Sequence, residues 1–317
     1  MTRADPERID RATVWITENG QIDAITPSTA PAPSGFERVP VIDVGDDLIV
    51  PGLIDLHNHL GYNTLPLWAV TDRPEPFAHH DIWPGAKTYG PEISKPAHVL
   101  AYADPEALLA YVEVKALVGG TTSIQGSPAA NKPLDGWLTR NIDDESFGTH
   151  NRNLVLASAL TEDRDALGDR SAKLDGASIF VYHCAEGQHD SLVRREFDDV
   201  VTANCLKPGF VGVHCSALQP ADFTTWTAKA TNAHNPGALA WSPFSNLWLY
   251  GETTDIAAAR KAGLRVCLGS DWSPSGTRHV LGELKVAAIW NEEAKLGLTN
   301  ERHHRRRATP AHRHRSP

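Results

Sequence analysis

From Pro51 onward the chain alternates between short apolar runs and longer runs with helical spacing. No other feature constrains its fold as strongly. The strand-like runs are "LIDLHNH", "GTTSIQG", "LTRNID", "LVLASALTE", "SIFVYHCAEG", "GFVGVHCSAL", "ALAWSPFSNL" and "RVCLGSD". Helix-like stretches lie between most of them. "DPEALLAYVEVKALVGG" offers Asp104 as N-cap, Pro105 in the first turn and Gly119 as a stop. "SLVRREFDDVV", "PADFTTWTAKA", "TTDIAAARKAG" and "LGELKVAAIWNEEAKLG" behave similarly. Eight strands alternating with helices in about 250 residues predict an α/β fold, a parallel (β/α)8 TIM-type barrel over residues 51–298.

The first 50 residues predict a small N-terminal β-rich unit, a partial β-sandwich. "ATVWITENGQIDAIT" reads as two short strands around an Asn-Gly turn. "PSTAPAPSG" reads as a loop, and "VPVIDVGDDLIV", residues 39–50, as further strand. The stretch from Gly61 to Ala103 is long for a connection, and its prolines and aromatics suggest a loop that shapes a site. Residues 299–317 predict a basic, disordered tail, rich in Arg and His without apolar periodicity.

A formal net charge of −9 argues against nucleic acid or anionic membrane as a partner. The apolar runs are far shorter than a membrane span. "MTRADPERID" lacks the apolar core of a signal peptide. The four cysteines, Cys184, Cys205, Cys215 and Cys267, form no C-x-x-C pair, which disfavours a zinc ribbon or thioredoxin-like site. Reduced thiols and a cytoplasmic location are expected. A small molecule is the expected partner, and a homo-oligomer is compatible.

Side chains two apart on a strand share a face, so His57 and His59 both point into the barrel at its C-terminal end. Alone, His-x-His reads equally well as two polar strand-end residues. The pattern recurs, however, with His183, His214 and Asp271 ending the fifth, sixth and eighth strands. Three histidines and one carboxylate form a suitable donor set for zinc or ferrous iron, with an open position for water. Cys184 and Cys215 then point outward, as small buried groups under the helices. Glu186, three residues after His183, can turn back over the mouth and move a proton between an activated water and a leaving nitrogen. Its alternative is a place in the cap or first turn of the next helix.

Together "PGLIDLHNH", "GGTTSIQG", "HCAEG", "VHCSAL", "WSPFSNLWLYG" and "LGSDWSPSG" resemble successive motifs of the metal-dependent amidohydrolase superfamily, in the branch of cytosine deaminase and the triazine hydrolases. The resemblance runs in order from about Val14 to Leu296. It implies that His57, His59, His183 and Asp271 bind one divalent metal, Zn(2+) in preference to Fe(2+). It implies Glu186 as acid/base, His214 as a hydrogen-bonding partner of substrate or water, and Asp271 as an orienter of the water and proton acceptor. Some members hold two metals through a modified lysine on the fourth strand. Here "VLASALTE" lacks lysine, which favours one metal and leaves Glu162 as a weak alternative bridge.

The expected activity is hydrolysis of a carbon–nitrogen bond other than a peptide bond, by deamination or amide hydrolysis. Dechlorination of a triazine is also compatible. Trp68, His79, His80, Gln125 and Trp272 lie on segments expected near the mouth, where they can wall a flat ring or pack a loop. Ser245 and Asn246 either touch substrate or build a turn. Family members continue past the eighth barrel helix, whereas here the pattern stops near Leu298. The rival expectation is therefore a truncated, inactive fragment or metal-binding remnant.

Overall fold

The computed structural model describes residues 11–71, 73, 75–126, 138–143, 145–146, 149–150, 155–159, 161–176 and 178–298. The basic segment 299–317 lies outside the described residues. The chain divides into two compact units, Met1–Gly52 and Leu53–Pro317.

In the first unit, β1 (Ala12–Ile16) and β2 (Ile22–Pro27) form the expected antiparallel hairpin, with Val14 opposite Ile25. Gly20 takes a positive φ of 74° in its turn, a conformation that favours glycine. Trp15 is buried, its Nε1 donates to Thr26 Oγ1 at 2.8 Å, and its ring meets Phe36 edge-on at 5.5 Å. This hairpin is the only ladder among the unit's described residues. Residues 39–50 do not form the expected strand. A strand needs a hydrogen-bonded neighbour, and none of the described residues pairs with this run. Its side chains stay in water, Ile42 at 86% and Leu48 at 73% exposure.

In the second unit, β3 (Leu53–Asp55) is followed by α1 (Lys95–Ala103), α2 (Pro105–Val118), β4 (Thr121–Ile124) and β5 (Arg140–Asn141). A short antiparallel pair follows, β6 (Glu145–Ser146) and β7 (Thr149–His150). Then come β8 (Val155–Ser158), α3 (Arg164–Leu174), β9 (Ile179–Cys184), α4 (Arg195–Thr202), β10 (Phe210–His214) and α5 (Pro220–Lys229). The unit closes with β11 (Ala238–Trp241), α6 (Pro243–Tyr250), α7 (Ile256–Lys261), β12 (Arg265–Leu268) and α8 (Val280–Glu293).

Each of the eight expected strands is present. They form two parallel sheets, one ordered β3-β4-β5 and one ordered β12-β11-β10-β9-β8. Among the described residues the sheets meet at a single parallel bridge, Asn58 with Asp271, where Asp271 N donates to His57 O at 2.9 Å and His59 N to Asp271 O at 3.2 Å. No ladder joins β5 to β8 among the described residues. The expected barrel is thus two parallel arcs, not one closed ladder. Its ladders are short because strand ends give way to turns. β11 stops at Trp241, since Pro243 lacks an N–H and begins α6.

Alternation along β9 and β10 sorts the side chains. Phe180, Tyr182, Cys184 and Phe210 pack with Phe197 of α4 and with Phe223 and Trp226 of α5. Val181, Val213 and Ala240 fill the opposite face. Each large apolar side chain buried this way contributes about 1.5–3 kcal/mol. Cys184 and Cys215 lie in the helix-side core, as expected. Asp104 caps α2 by accepting from Ala107 N at 3.0 Å. The segment from Gly61 to Ala103 is held down by an aromatic cluster of Trp68, Phe77, Trp83 and Tyr89, with Tyr250 and Trp272. No helix among the described residues is long and apolar enough to cross a membrane.

Candidate metal centre

The strand ends are built on Asp55. Its buried carboxylate accepts from Ser270 N at 3.0 Å, Ser270 Oγ at 2.5 Å and Asn58 Nδ2 at 3.0 Å. It thereby joins the end of β3 to the segment after β12. Gly126 permits a close approach on the other side. It has φ +89°, and a Cβ there would lie 1.7 Å from the carbonyl oxygen of Asn58. Strict alternation has ended by this point. His214 and Asp271 sit at positive φ, 61° and 58°, a costly backbone state for side-chain-bearing residues that tends to occur at functional sites.

These turns bring the five residues together. His57 Nε2 lies 3.2 Å and His59 Nε2 3.5 Å from Asp271 Oδ1. His59 Nε2 lies 3.2 Å from His183 Nε2. His57, His183 and His214 form one group with ligand atoms within 4.8 Å of each other, and His57, His59 and Asp271 form another. All are buried except His59, whose side chain keeps 30% exposure.

The donor atoms suit a cation. His183 Nδ1 lies 2.9 Å from Ser158 O, which places the ring proton there and leaves a lone pair on Nε2. The buried Nε2 of His57 has no hydrogen-bond partner. Burial and the charge of His57 hold His183 and His59 below the ordinary histidine range, with His59 and His214 adding to the effect on His183. Burial alone would push Asp271 up, but His57, His214 and His59 outweigh it and keep the carboxylate ionised. Metal binding needs each imidazole ligand deprotonated at the binding nitrogen and each carboxylate ligand ionised.

His214 is oriented by a relay. Trp241 Nε1 donates to Thr253 Oγ1 at 2.7 Å, and Thr253 donates to Asn246 Oδ1 at 3.3 Å. The amide of Asn246 then donates to His214 Nδ1 at 2.9 Å, so the proton of a neutral His214 sits on Nε2. That atom is 3.6 Å from Glu186 Oε1 and 3.9 Å from Asp271 Oδ2. Asn246 therefore reaches the site through His214, whereas Ser245 bonds Ser275 at 2.9 Å and builds the turn.

Glu186 does turn back over the centre. Tyr250 Oη donates to its Oε1 at 2.5 Å, and His80 Nδ1 lies 3.5 Å from its Oε2. Burial and the charge of Asp271 raise this carboxyl to about 7, against the opposing pull of His80 and Tyr250. Trp83 Nε1 donates to Tyr250 Oη at 3.1 Å. Trp272 meets Tyr62 at 5.3 Å, Trp83 at 5.2 Å and His59 at 6.5 Å between ring centroids, which forms an aromatic wall beside the histidines.

Other candidates lie elsewhere or serve the frame. Glu162 Oε1 pairs with Arg170 Nη2 at 3.0 Å. Gln125 Nε2 donates to Asp143 at 3.2 Å, Trp68 Nε1 donates to Thr88 at 3.1 Å, and His79 Nδ1 lies 3.6 Å from Asp81. Sequence reasoning missed Asp55, Glu196, Thr253 and Tyr250. Asp55 stands two residues before His57, a position that could have marked it. The other three carry no local signal.

No family model matches the chain. A 5-methylthioadenosine/S-adenosylhomocysteine deaminase of Halobacterium salinarum is 24% identical over 81% of this chain and 64% of its own length. A 5′-deoxyadenosine deaminase of Methanothrix thermoacetophila is 24% identical over 78% of this chain and 64% of its own length. The chain thus spans under two thirds of these relatives. Among solved structures, an adenosine deaminase of Xanthomonas campestris with bound zinc has a TM-score of 0.60 at 16% identity, covering 90% of this chain and 70% of its own. A guanine deaminase of C. acetobutylicum with bound guanine has a TM-score of 0.58 at 16% identity, covering 90% and 76%. A triazine hydrolase variant has a TM-score of 0.55 at 15% identity, covering 78% and 65%. The fold is shared with these solved structures. The relatives are deaminases of the amidohydrolase superfamily, and the resemblance carried by the motifs is borne out.

Proposed function

We propose that the protein is a metal-dependent hydrolase of non-peptide carbon–nitrogen bonds, a deaminase or amide hydrolase of a planar nitrogen heterocycle. The observation that carries this reading is the convergence of His57, His59, His183 and Asp271 with Glu186 and His214 at the ends of separate strands. These four ligands would hold one divalent ion, zinc before iron(II), and we read the two sheets as arcs of one eight-stranded barrel around it. The metal, when bound, makes water acidic enough to act as a nucleophile near neutral pH.

The side chains would do the rest. Glu186, raised to about 7, exchanges its proton near neutral pH. Its carboxyl takes a proton from the attacking water and passes it to the departing nitrogen. Asp271 Oδ2 is an acceptor for the second proton of the water. His214, with its proton on Nε2, donates a hydrogen bond to the substrate atom that gains negative charge. The wall of Trp272, Trp83 and Tyr62 suits a flat ring and excludes water. The deaminase names of the relatives support the same reaction class. The four free thiols fit a cytoplasmic site of action.

A second reading, an inactive metal-binding remnant, draws support from the exposed apolar run 39–50. Zinc-loaded protein assayed for ammonia release on a panel of purines, pyrimidines, pterins, triazines and amides separates the two. One metal per chain, turnover of a ring amine and a loss of about 10²–10⁴-fold in Glu186→Gln at unchanged metal content are expected. A metal-free aggregate, or a Gln variant with normal kcat, would overturn the hydrolase reading.

A further inference from the structure

His80 has no part in the donor set, yet it is buried against the acid/base. Its backbone N donates to the backbone oxygen of Glu186 at 3.1 Å. Its ring bridges two buried carboxylates, with Nε2 3.0 Å from Glu196 Oε1 and Nδ1 3.5 Å from Glu186 Oε2. Nδ1 is buried and has no hydrogen-bond partner.

Glu196, on α4, is a fixed anchor. Its Oε1 also accepts from Thr161 Oγ1 at 2.5 Å, and its Oε2 accepts from Ala185 N at 2.7 Å. Neither oxygen is free to turn away from His80. The two oxygens of Glu186 are therefore treated differently. Tyr250 holds Oε1 and His80 faces Oε2, so rotation of the carboxyl would lose both partners.

We propose that His80, held by Glu196, is a positioning residue that orients the Glu186 carboxyl for proton transfer, an assignment that rests on the hydrolase reading above. The charged groups around His80 are Glu196, Glu186 and Asp81, whose Oδ1 lies 3.7 Å from Nε2, with His214 beyond Glu186. Burial opposes protonation of the ring, but the hydrogen bond to Glu196 and the surrounding carboxylates outweigh it and raise His80 to about 9. At neutral pH both ring nitrogens then carry protons. One faces the anchor and the other faces the acid/base. The imidazolium also offsets part of the burial that raises Glu186. The same contacts seat the His80–Trp83 segment, since Trp83 bonds the tyrosine that holds the other oxygen.

The experiment has an arm that needs no substrate. In zinc-loaded protein labelled with ¹⁵N-histidine, one imidazole, identified by its loss in His80→Gln, should carry two protons from pH 6 to 8. It should become neutral in that range in Glu196→Gln. The second arm is ammonia release on the substrate panel. His80→Gln should lose about 10²-fold in kcat, the scale of a slight misplacement, at unchanged zinc content. KM should stay within about threefold, and the change should add nothing in a Glu186→Gln background. Glu196→Gln should reproduce the kcat loss, which keeps the test informative if His80→Gln does not fold. A neutral His80 in the wild type, normal kcat in folded His80→Gln or Glu196→Gln, or independent losses in the double variant would each overturn the assignment. Absence of all turnover in the wild type would sink the hydrolase reading instead, and the imidazole arm would still decide whether His80 is the doubly protonated ring, held by Glu196, that the assignment requires.

Discussion

The carboxylate of Asp55 and the hydroxyl of Ser270, 215 residues apart in the chain, are hydrogen bonded at 2.5 Å. Asn58 Nδ2 reaches both groups, at 3.0 Å to Asp55 and 2.9 Å to Ser270. The network continues through Asn63, which donates to Asn58 Oδ1 at 3.0 Å and accepts from Ser273 N at 2.8 Å. Ladder pairing between β3 and β12 is reduced to one bridge, so these side chains supply much of the seam. That seam sets His57 and His59 opposite Asp271.

Asp55→Ala leaves the buried donors of Ser270 and Asn58 without their acceptor. A loss of about 3 kcal/mol or more is expected, because each orphaned donor costs about 1–3 kcal/mol. Ser270→Ala should cost less, and the pair should be coupled by about 0.5–3 kcal/mol in a double-mutant cycle. Denaturant unfolding checks this. Independent, additive losses would show that the seam is held elsewhere.

Changing His57 and His59 together to Ala should abolish metal binding, since two of the four proposed ligands vanish while their backbone bonds to Asp271 remain. Elemental analysis of the folded double variant checks it. A full metal complement would move the site away from these residues.

Stability should fall as pH rises from about 6.5 to 9 through His80. The folded ring keeps its proton to about 9, whereas an unfolded histidine releases it near 6.5. Between those values the folded state binds more protons, so its advantage is complete below 6.5 and disappears as pH passes the folded pKa. The contribution is of the order of a few kcal/mol. Melting curves across this window should slope downward in the wild type and less steeply in His80→Gln. Parallel slopes would show that the ring is neutral when folded.

Residues 39–50 expose a run of apolar side chains, with Ile42 and Leu48 at 86% and 73%. Such runs promote association. Ile42→Asp with Leu48→Asp should reduce self-association in sedimentation experiments and leave unfolding within about 0.5 kcal/mol, the usual range for surface changes. A loss of several kcal/mol would mean that this run is packed in solution.

The eight strands of the second unit were legible because each is a local apolar run bounded by turn residues. The same reasoning misplaced residues 39–50, since apolar alternation marks a capacity for pairing and no neighbour among the described residues satisfies it. Strand periodicity also brought His57, His59, His183, His214 and Asp271 toward one end. It could not set their distances, because His214 and Asp271 leave strand geometry at positive φ. The residue types of the centre and their order at the strand ends were thus determined by the sequence alone. The tertiary structure decided which atoms meet. His80 reaches Glu186 and Glu196 from a distant loop, and Trp241, Thr253 and Asn246 set the tautomer of His214. Those contacts depend on how loops fold back over the sheets, a long-range packing outcome that leaves no period or spacing in the chain.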